Sequence, residues 1–291
     1  MLARYRRQLA DWLVPRMHRA PALRALGKRL LRRRIIRQAF HGGVICLDAV
    51  EQSWAWTGGI RLETWDRHIQ DHLLALSREC RTMIDVGGNV GAMSLSVALR
   101  NPAITIVCVE PNARACALLR QSVALNGLGD RVTVLEAAAG DADGAVGFEE
   151  GGSTTGHIVA SGAVRRQSVD FVRLVDEPAA RGRCLVKVDV EGYETVLLAA
   201  LTRVAWRHNV LLVAELHALG FNGFGNPAAC GELLLDSGAA LADSDGRPVT
   251  AIEPWTDGLH TRQIEARWYG QEPVRGTVSR ASTASPCPPR A

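Results

Sequence analysis

The sequence has no long hydrophobic run and no regular arrangement of cysteines. None of its apolar stretches approaches the roughly 18 residues that a membrane-spanning helix needs, so no such helix is predicted. The seven cysteines are scattered and odd in number, and none forms a C-x-x-C pair, which argues against a disulfide framework and a structural zinc site. We therefore expect a reducing compartment, the cytoplasm, with Cys108 and Cys184 as buried thiols.

The sequence also lacks the glycine fingerprint of dinucleotide-binding proteins. The pattern G-x-G-x-x-G, begun at Gly87, requires glycine at positions 89 and 92, which hold Asn89 and Ala92. The turn that receives a pyrophosphate is therefore not formed in its usual way. This argues against a nicotinamide or flavin dinucleotide at this position.

A strand, a glycine-rich turn and a helix are present there instead. Residues 82–86 form an apolar run of strand length, and residues 93–99 are apolar and compatible with a helix. The glycines between them let a ligand approach the free N–H groups at the helix start. The pattern D-x-G-x-x-x-G, formed by Asp85, Gly87 and Gly91, is typical of enzymes that use S-adenosylmethionine (SAM).

The next two strands complete the predicted cofactor site. The apolar run 104–109 places Glu110 at a second strand tip, where a carboxylate can accept hydrogen bonds from a ribose diol. The third strand, 132–135, leads to small residues that suit a flat adenine ring. The residues predicted to bind the cofactor are Asp85, Gly87, Gly88, Asn89, Gly91, Glu110, Pro111 and Ala138.

A second motif, LVKVDVEGYETVLL, follows the fourth predicted strand, 185–190. Lys187 and Asp189 share one face of this strand, and its end lies where active sites of open α/β sheets are found. The acids Asp85, Glu110, Asp189 and Glu215 all stand at predicted strand ends. Two simpler interpretations stay open: Glu191 as a first-turn helix acid and Lys187 as a strand lysine with an exposed tip.

The motifs IDVGGNVG, VEPNA and KVDVEGYE resemble the FkbM family of SAM-dependent methyltransferases over about residues 80–220. The resemblance implies a Rossmann-like class I methyltransferase, with a mostly parallel seven-stranded sheet and helices on both faces. It implies O-methylation of a sugar, glycolipid or polyketide-type hydroxyl. Gly88 stands where the family usually has alanine, a difference expected to be harmless. The segment FVRLVDEP (residues 171–178) matches only loosely.

Methyl transfer to a hydroxyl requires in-line alignment and a group that takes the proton. Asp189 is the first candidate base and His217 the second, with Lys187 facing the transfer site. A further hypothesis groups Asp189, Glu215 and His217 as a divalent-metal site, as in catechol O-methyltransferase. The favoured assignment contains no metal.

The chain divides into four predicted parts. Residues 1–40 form a basic amphipathic helical arm, with net charge +11 from twelve Arg or Lys and one Asp, which leaves −7 for the rest of a chain of net charge +4. Residues 41–80 precede the core and carry Trp54, Trp56 and Trp65, either as core residues or as a lid. Residues 81–270 form the methyltransferase domain, including a β-hairpin insertion at 140–172, and 271–291 form a disordered tail.

Three functions were weighed from these patterns. The leading one is O-methyl transfer to a small-molecule or glycan acceptor. The second is a nucleic-acid methyltransferase that uses the arginine arm; it is not expected, because the Asn- or Asp-Pro-Pro-aromatic motif of amino-methylating enzymes is replaced by DVEG at residues 189–192. Three roles of the arm stay open: packing on the domain, lying on an anionic membrane, and binding nucleic acid. The third function is a non-catalytic SAM-binding or membrane-associated assembly factor.

Overall fold

A computed structural model describes residues 26, 29–31, 34–53, 61–149, 157–159, 164–217, 227–251 and 262–269. The sequence predictions for Trp54, Trp56, most of the basic arm and the tail lie outside these residues. The strands and helices, in chain order, are β1 Ile35–Phe40, β2 Gly43–Asp48, α1 Arg67–Ser77, β3 Thr82–Val86, α2 Ala92–Arg100, β4 Thr105–Val109, α3 Ala113–Leu125, β5 Val132–Leu135, β6 Ala138–Gly140, β7 Gly144–Glu149, β8 His157–Val159, β9 Val164–Asp170, α4 Phe171–Ala179, β10 Cys184–Val188, α5 Glu194–Leu201, β11 Val210–Leu216, α6 Pro227–Asp236, β12 Ala240–Asp243, β13 Pro248–Val249 and β14 Arg262–Arg267.

The main sheet has the strand order β13-β12-β14-β11-β10-β3-β4-β5. Strands β5, β4, β3, β10 and β11 run parallel, and β14 pairs antiparallel with both β11 and β12. This order confirms the predicted Rossmann-like class I methyltransferase fold. An eighth strand, the two-residue β13, joins the seven that were predicted.

Two apolar cores cover the two faces of this sheet. On one face, Leu73, Leu95 and Leu119 of helices α1, α2 and α3 pack with strand residues such as Met83. On the other, helices α4, α5 and α6 pack with residues such as Ile84. Successive residues of β3 thus enter opposite cores, as expected for a parallel strand that is buried on both sides. The central strands β3, β4, β10 and β11 are therefore mostly apolar, with Asp85, Lys187 and Glu215 as their charged residues.

The order in which the chain adds strands to the sheet reverses between β3 and β10. After β3 the chain builds β4 and β5 outward on one side, and later returns to place β10 and β11 on the other. A crevice opens at such a switch point, outside the carboxyl ends of the strands. The motifs that follow β3, β4, β10 and β11 therefore meet at one edge of the sheet.

The region between β5 and α4 differs from the prediction. Strands β6, β7, β8 and β9 form a separate four-stranded sheet of order β6-β9-β7-β8, rather than a hairpin. The insertion, predicted to extend to residue 172, ends at Asp170, whose carboxylate caps helix α4 by accepting the backbone N–H of Arg173. A side-chain cap favours the helix over continued extension.

The end of the predicted arm is also different. Residues 35–40 were included in a helical arm, but they form strand β1, which pairs antiparallel with β2. The β-branched pair Ile35 and Ile36 favours this conformation. Residues 61–62, part of a predicted short strand, are not in a strand.

The β1–β2 hairpin is fixed to helix α3 by side-chain hydrogen bonds. Asn126 binds both backbone groups of Val44, and the Ser122 hydroxyl accepts the N–H of Cys46.

Within the described residues, no helix is long and apolar enough to span a membrane.

Candidate cofactor and acceptor site

The loop after β3 depends on two glycines with positive φ. Gly87 (φ 79°) passes so close to β10 that a Cβ there would lie 1.8 Å from the carbonyl oxygen of Asp189. Gly91 (φ 87°) begins helix α2, and a Cβ there would lie 2.2 Å from a methyl carbon of Leu119. The loop therefore tolerates no side chain at either position, and its backbone borders the cavity described below.

Glu110 lies at the tip of β4 and closes this loop. One carboxylate oxygen accepts the backbone N–H of Asn89 (2.9 Å) and the other accepts that of Asn112 (2.7 Å). Burial raises the pKa of Glu110 to about 7, although both hydrogen bonds oppose the shift. A carboxylate offers about four acceptor positions, so Glu110 retains capacity for ribose hydroxyls.

A cavity of about 260 Å³ joins the two motifs. Of the residues predicted for the cofactor, six line it: Gly87, Gly88, Asn89, Glu110, Pro111 and Ala138. Asp85 and Gly91 are not among the lining residues. All three residues predicted for catalysis do line it: Lys187, Asp189 and His217.

Asp85 acts on the cavity from behind the loop. It is fully buried, and one oxygen accepts the Ser94 hydroxyl at 2.5 Å. The other oxygen has no hydrogen bond and lies 3.6 Å from the Nζ atom of Lys187. Lys187 in turn donates to Asp189 Oδ2 at 3.0 Å. Asp85 was predicted among the cofactor-binding residues, but it does not line the cavity and instead holds Lys187 in place.

The charge of Lys187 is maintained by these two carboxylates. Burial alone would lower its pKa, but the charges of Asp189 and Asp85 outweigh burial and hold the pKa above its usual value. The ammonium group has no free electron pair in this state, so Lys187 orients Asp189 and does not remove protons. The interpretation of Lys187 as a strand lysine with an exposed tip is wrong, because its side chain is 7% exposed.

His217 is held by a carboxylate whose role the sequence did not reveal. Glu194, only 1% exposed, lies 2.8 Å from His217 Nδ1 and also accepts the backbone N–H groups of Val190 and Gly192. Burial lowers the pKa of His217, but the hydrogen bond to Glu194 and the nearby carboxylates raise it to about 9. The KVDVEGYE motif contained Glu194, yet only the fold places it under His217.

The Nε2 atom of His217 faces two further acids. It lies 3.4 Å from Glu191 Oε2 and 3.8 Å from Asp189 Oδ1. Among the described residues, one ligand atom each from Asp189, Glu191 and His217 lies within 4.8 Å of the others. Glu215 also lines the cavity, but it is not part of this group. The metal hypothesis made from the sequence thus named Glu215 where the structure places Glu191.

Two walls of the cavity were not predicted as such. Residues Trp65 and Asp66, before helix α1, line the side near Asp189 together with Leu62. Phe148 and Ile158, from the small sheet, line the side near Ala138. Trp65 is 38% exposed and borders the cavity, so it is not a fully buried core residue.

Gly88 is a less neutral position than the sequence suggested. A Cβ there would lie 2.0 Å from the sulfur of Cys108, which is fully buried in β4. Burial raises the pKa of the Cys108 thiol well above its usual value, so it stays uncharged. Alanine at position 88 is therefore expected to require a smaller residue at position 108.

No protein-family model matches the chain. Among curated proteins, it is 38% identical over 88 residues to a ribosomal RNA small subunit methyltransferase G of Methylobacterium radiotolerans, a match that covers 28% of this chain and 42% of that protein. A ribosomal RNA small subunit methyltransferase G of Salinispora arenicola is 36% identical over 103 residues, which is 34% of this chain and 41% of that protein. The matched region is less than half the length of each of these relatives.

Solved structures with similar folds are distant. An O-methyltransferase family protein from Burkholderia thailandensis is 14% identical, with a TM-score of 0.43, and the match covers 76% of this chain and 60% of that one. A methyltransferase from Geobacter sulfurreducens is 18% identical, with a TM-score of 0.41, and the match covers 76% and 87%. These structural similarities are too distant to indicate an activity. The fold assignment rests on the sheet order.

The described residues fit the predicted cofactor. The loop at Gly87 and Gly88 leaves no room for side chains, Glu110 keeps acceptor capacity for a ribose diol, and Ala138 and Phe148 give the cavity an apolar lining. Four further carboxylates line the cavity, those of Asp66, Asp189, Glu191 and Glu215, and they suit a cationic ligand. S-adenosylmethionine, with an adenosine and a sulfonium, is the cofactor that this fold and loop accommodate.

Proposed function

We propose that this chain is a SAM-dependent methyltransferase that transfers a methyl group to a hydroxyl of a sugar, glycolipid or polyketide-type acceptor. The observation that carries the proposal is the single cavity lined both by the cofactor loop with Glu110 and by Asp189 and His217. A methyl donor and a proton acceptor are thereby brought to one space. The resemblance of the motifs to the FkbM family supports a hydroxyl as acceptor.

SAM supplies an electrophilic methyl group and leaves as a neutral thioether. The residues of this chain align the acceptor and receive its proton, since an alcohol must lose its proton as the new bond forms. Asp189 Oδ2 is held by Lys187, so Oδ1 is the oxygen that remains directed toward His217 and the cavity. Asp189 is accordingly the proposed proton acceptor. His217 is the second candidate, but its pKa of about 9 keeps it mostly protonated near neutral pH, so it can accept a proton only at higher pH.

A ribosomal RNA methyltransferase is the second candidate function. The curated relatives that match about a third of this chain or less carry that name. The acceptor end of the cavity argues against RNA, because Asp66, Asp189, Glu191 and Glu215 place carboxylates where a phosphate backbone would approach. The replacement of the Pro-Pro-aromatic motif by DVEG points the same way.

A labelled-methyl transfer assay distinguishes these functions. The full chain is incubated with methyl-labelled SAM and either sugar and lipid acceptors or small ribosomal subunits. We expect label on a hydroxyl acceptor, and a loss of kcat of about 10²- to 10⁴-fold in Asp189→Asn with SAM binding retained. Asp71→Asn removes an exposed carboxylate on α1 and is the matched control.

Three other outcomes would change the proposal. Label confined to ribosomal RNA would favour the second function. SAM binding without transfer to any acceptor would favour the non-catalytic alternative. Full turnover by Asp189→Asn would contradict its role as proton acceptor.

A further inference from the structure

We propose that Asp189, Glu191 and His217 form a binding site for one divalent metal ion of the Mg²⁺ or Mn²⁺ class at the acceptor end of the cavity. Its role in the reaction rests on the proposed function, because the ion would lie where the acceptor hydroxyl must be aligned.

The separations between the three side chains match a common ion. Mg²⁺, Mn²⁺ and Zn²⁺ bind oxygen and nitrogen at about 2.0–2.2 Å, so two ligands of one ion are at most about 4.4 Å apart. His217 Nε2 lies 3.4 Å from Glu191 Oε2 and 3.8 Å from Asp189 Oδ1. All three ligand atoms lie within 4.8 Å of one another. A small side-chain adjustment is enough to close them around an ion.

The orientation of His217 is an independent feature of a metal site. Metal-binding histidines almost always engage a carboxylate or carbonyl with the second ring nitrogen, which fixes the ring and leaves the other nitrogen for the metal. Glu194 does this at Nδ1 (2.8 Å) and is itself held by the backbone N–H groups of Val190 and Gly192. Glu194 is 1% exposed, so this support is rigid and built into the core.

Lys187 binds only one of the two carboxylate oxygens of Asp189. Its ammonium binds Oδ2, which leaves Oδ1 directed toward His217. The cavity then contains the carboxylates of Asp189, Glu191 and Glu215 near one lysine. Such crowding of like charges is costly unless a cation offsets it. A divalent ion supplies that charge at the point where two of the carboxylates and the imidazole meet.

The ligand set also indicates the kind of ion and its task. Carboxylate oxygens suit Mg²⁺ and Mn²⁺, and one imidazole favours Mn²⁺ of the two. Three protein ligands leave positions open, and the side chains of Asp189 and Glu191 are 28% and 24% exposed toward the cavity. An acceptor hydroxyl bound at an open position is oriented and made more acidic by the ion. With the ion bound, the acceptor oxygen would attack the methyl carbon of SAM while the C–S electron pair leaves with sulfur. Asp189 would then act as an ion ligand, and the acidified hydroxyl would lose its proton to solvent instead of to Asp189 directly.

The test measures Mn²⁺ binding rather than activity. The chelator-treated full chain is titrated with MnCl₂, and free Mn²⁺ is followed by electron paramagnetic resonance. We expect one Mn²⁺ per chain, and at least a tenfold loss of affinity in Glu191→Gln, which keeps the side-chain shape. Glu215→Gln, a cavity carboxylate outside the cluster, is the matched control and should change Mn²⁺ affinity by less than about threefold. Circular dichroism verifies that each variant is folded.

Two results would overturn the metal site. One is absence of Mn²⁺ binding to the folded chain, and the other is equal affinity in the wild type and Glu191→Gln. Calorimetric SAM binding on the same samples separates this failure from failure of the proposed function. If SAM binds and Mn²⁺ does not, the metal site falls and Asp189 keeps its role as direct proton acceptor. If Mn²⁺ binds as expected but SAM does not, the metal site stands and the methyltransferase proposal falls.

Discussion

Binding of SAM is expected to tighten about tenfold between pH 6 and pH 8, because Glu110 must be ionised to accept hydrogen bonds from the ribose hydroxyls. Burial raises the pKa of Glu110 to about 7 in the free chain. About nine-tenths of the carboxyl groups are then protonated at pH 6 and about one-tenth at pH 8. Because only the ionised form binds, the apparent Kd for SAM is inversely proportional to the ionised fraction, which rises about tenfold and changes the binding free energy by about 1.4 kcal/mol.

The assay is isothermal titration calorimetry at several pH values on the wild type and on Glu110→Gln. The amino group of SAM titrates in the same range, but it contributes equally to both proteins. The difference between their slopes therefore reports Glu110 alone. Asp85 and Lys187 act on Glu110 with opposite sign, and both stay in place in the variant. Equal slopes in the two proteins would refute the assignment of Glu110 to the ribose.

Ionisation of Glu110 is also expected to lower the stability of the folded chain as the pH rises. A carboxyl with a raised folded-state pKa binds its proton more tightly in the folded chain than in the unfolded chain. Its contribution to stability is therefore complete below about pH 4.5 and is lost as the pH rises to about 7, by about 3 kcal/mol. Urea unfolding of the wild type relative to Glu110→Gln should show this loss. A difference in stability between the two proteins that does not change with pH would contradict the raised pKa of Glu110.

Three further changes test the packing around the site. Gly88→Ala should destabilise the chain by about 1–3 kcal/mol, because the added methyl group clashes with Cys108. Most of this cost should disappear when Cys108 is also replaced by alanine. An equal cost in both backgrounds, measured by urea unfolding, would contradict the contact. Lys187→Met should cost about 3–5 kcal/mol at pH 7, because buried carboxylates lose their counter-ion, whereas a cost below about 1 kcal/mol would show that they are solvated. Asp48→Asn should lower the free energy of unfolding by about 2 kcal/mol, because Asp48 accepts two hydrogen bonds from Arg114 and thereby connects β2 to α3. Unchanged amide hydrogen exchange in β2 would contradict this connection.

Much of the core fold followed from local patterns in the sequence. The strand at 82–86, the helix after Gly91 and the strand ending before Glu110 were found within a residue or two of their predicted bounds. These elements are buried on both faces or on one broad face, so their apolar periodicity is strong. The prediction was wrong where the signal was weaker, as at Ile35–Phe40 and after Asp170, because a strand pairing and a side-chain cap decide those boundaries.

The sequence by itself determined which residue types stand at the strand ends, and hence the cofactor loop, Glu110 and the acid-rich segment after β10. Only the tertiary structure decided which of them meet. It placed Asp85 behind the loop, brought Glu194 under His217, and put Glu191 rather than Glu215 beside Asp189. Spacing along one strand fixes the face that a side chain occupies, but distances between side chains of different strands depend on register, twist and turn geometry. Those are properties of the assembled sheet.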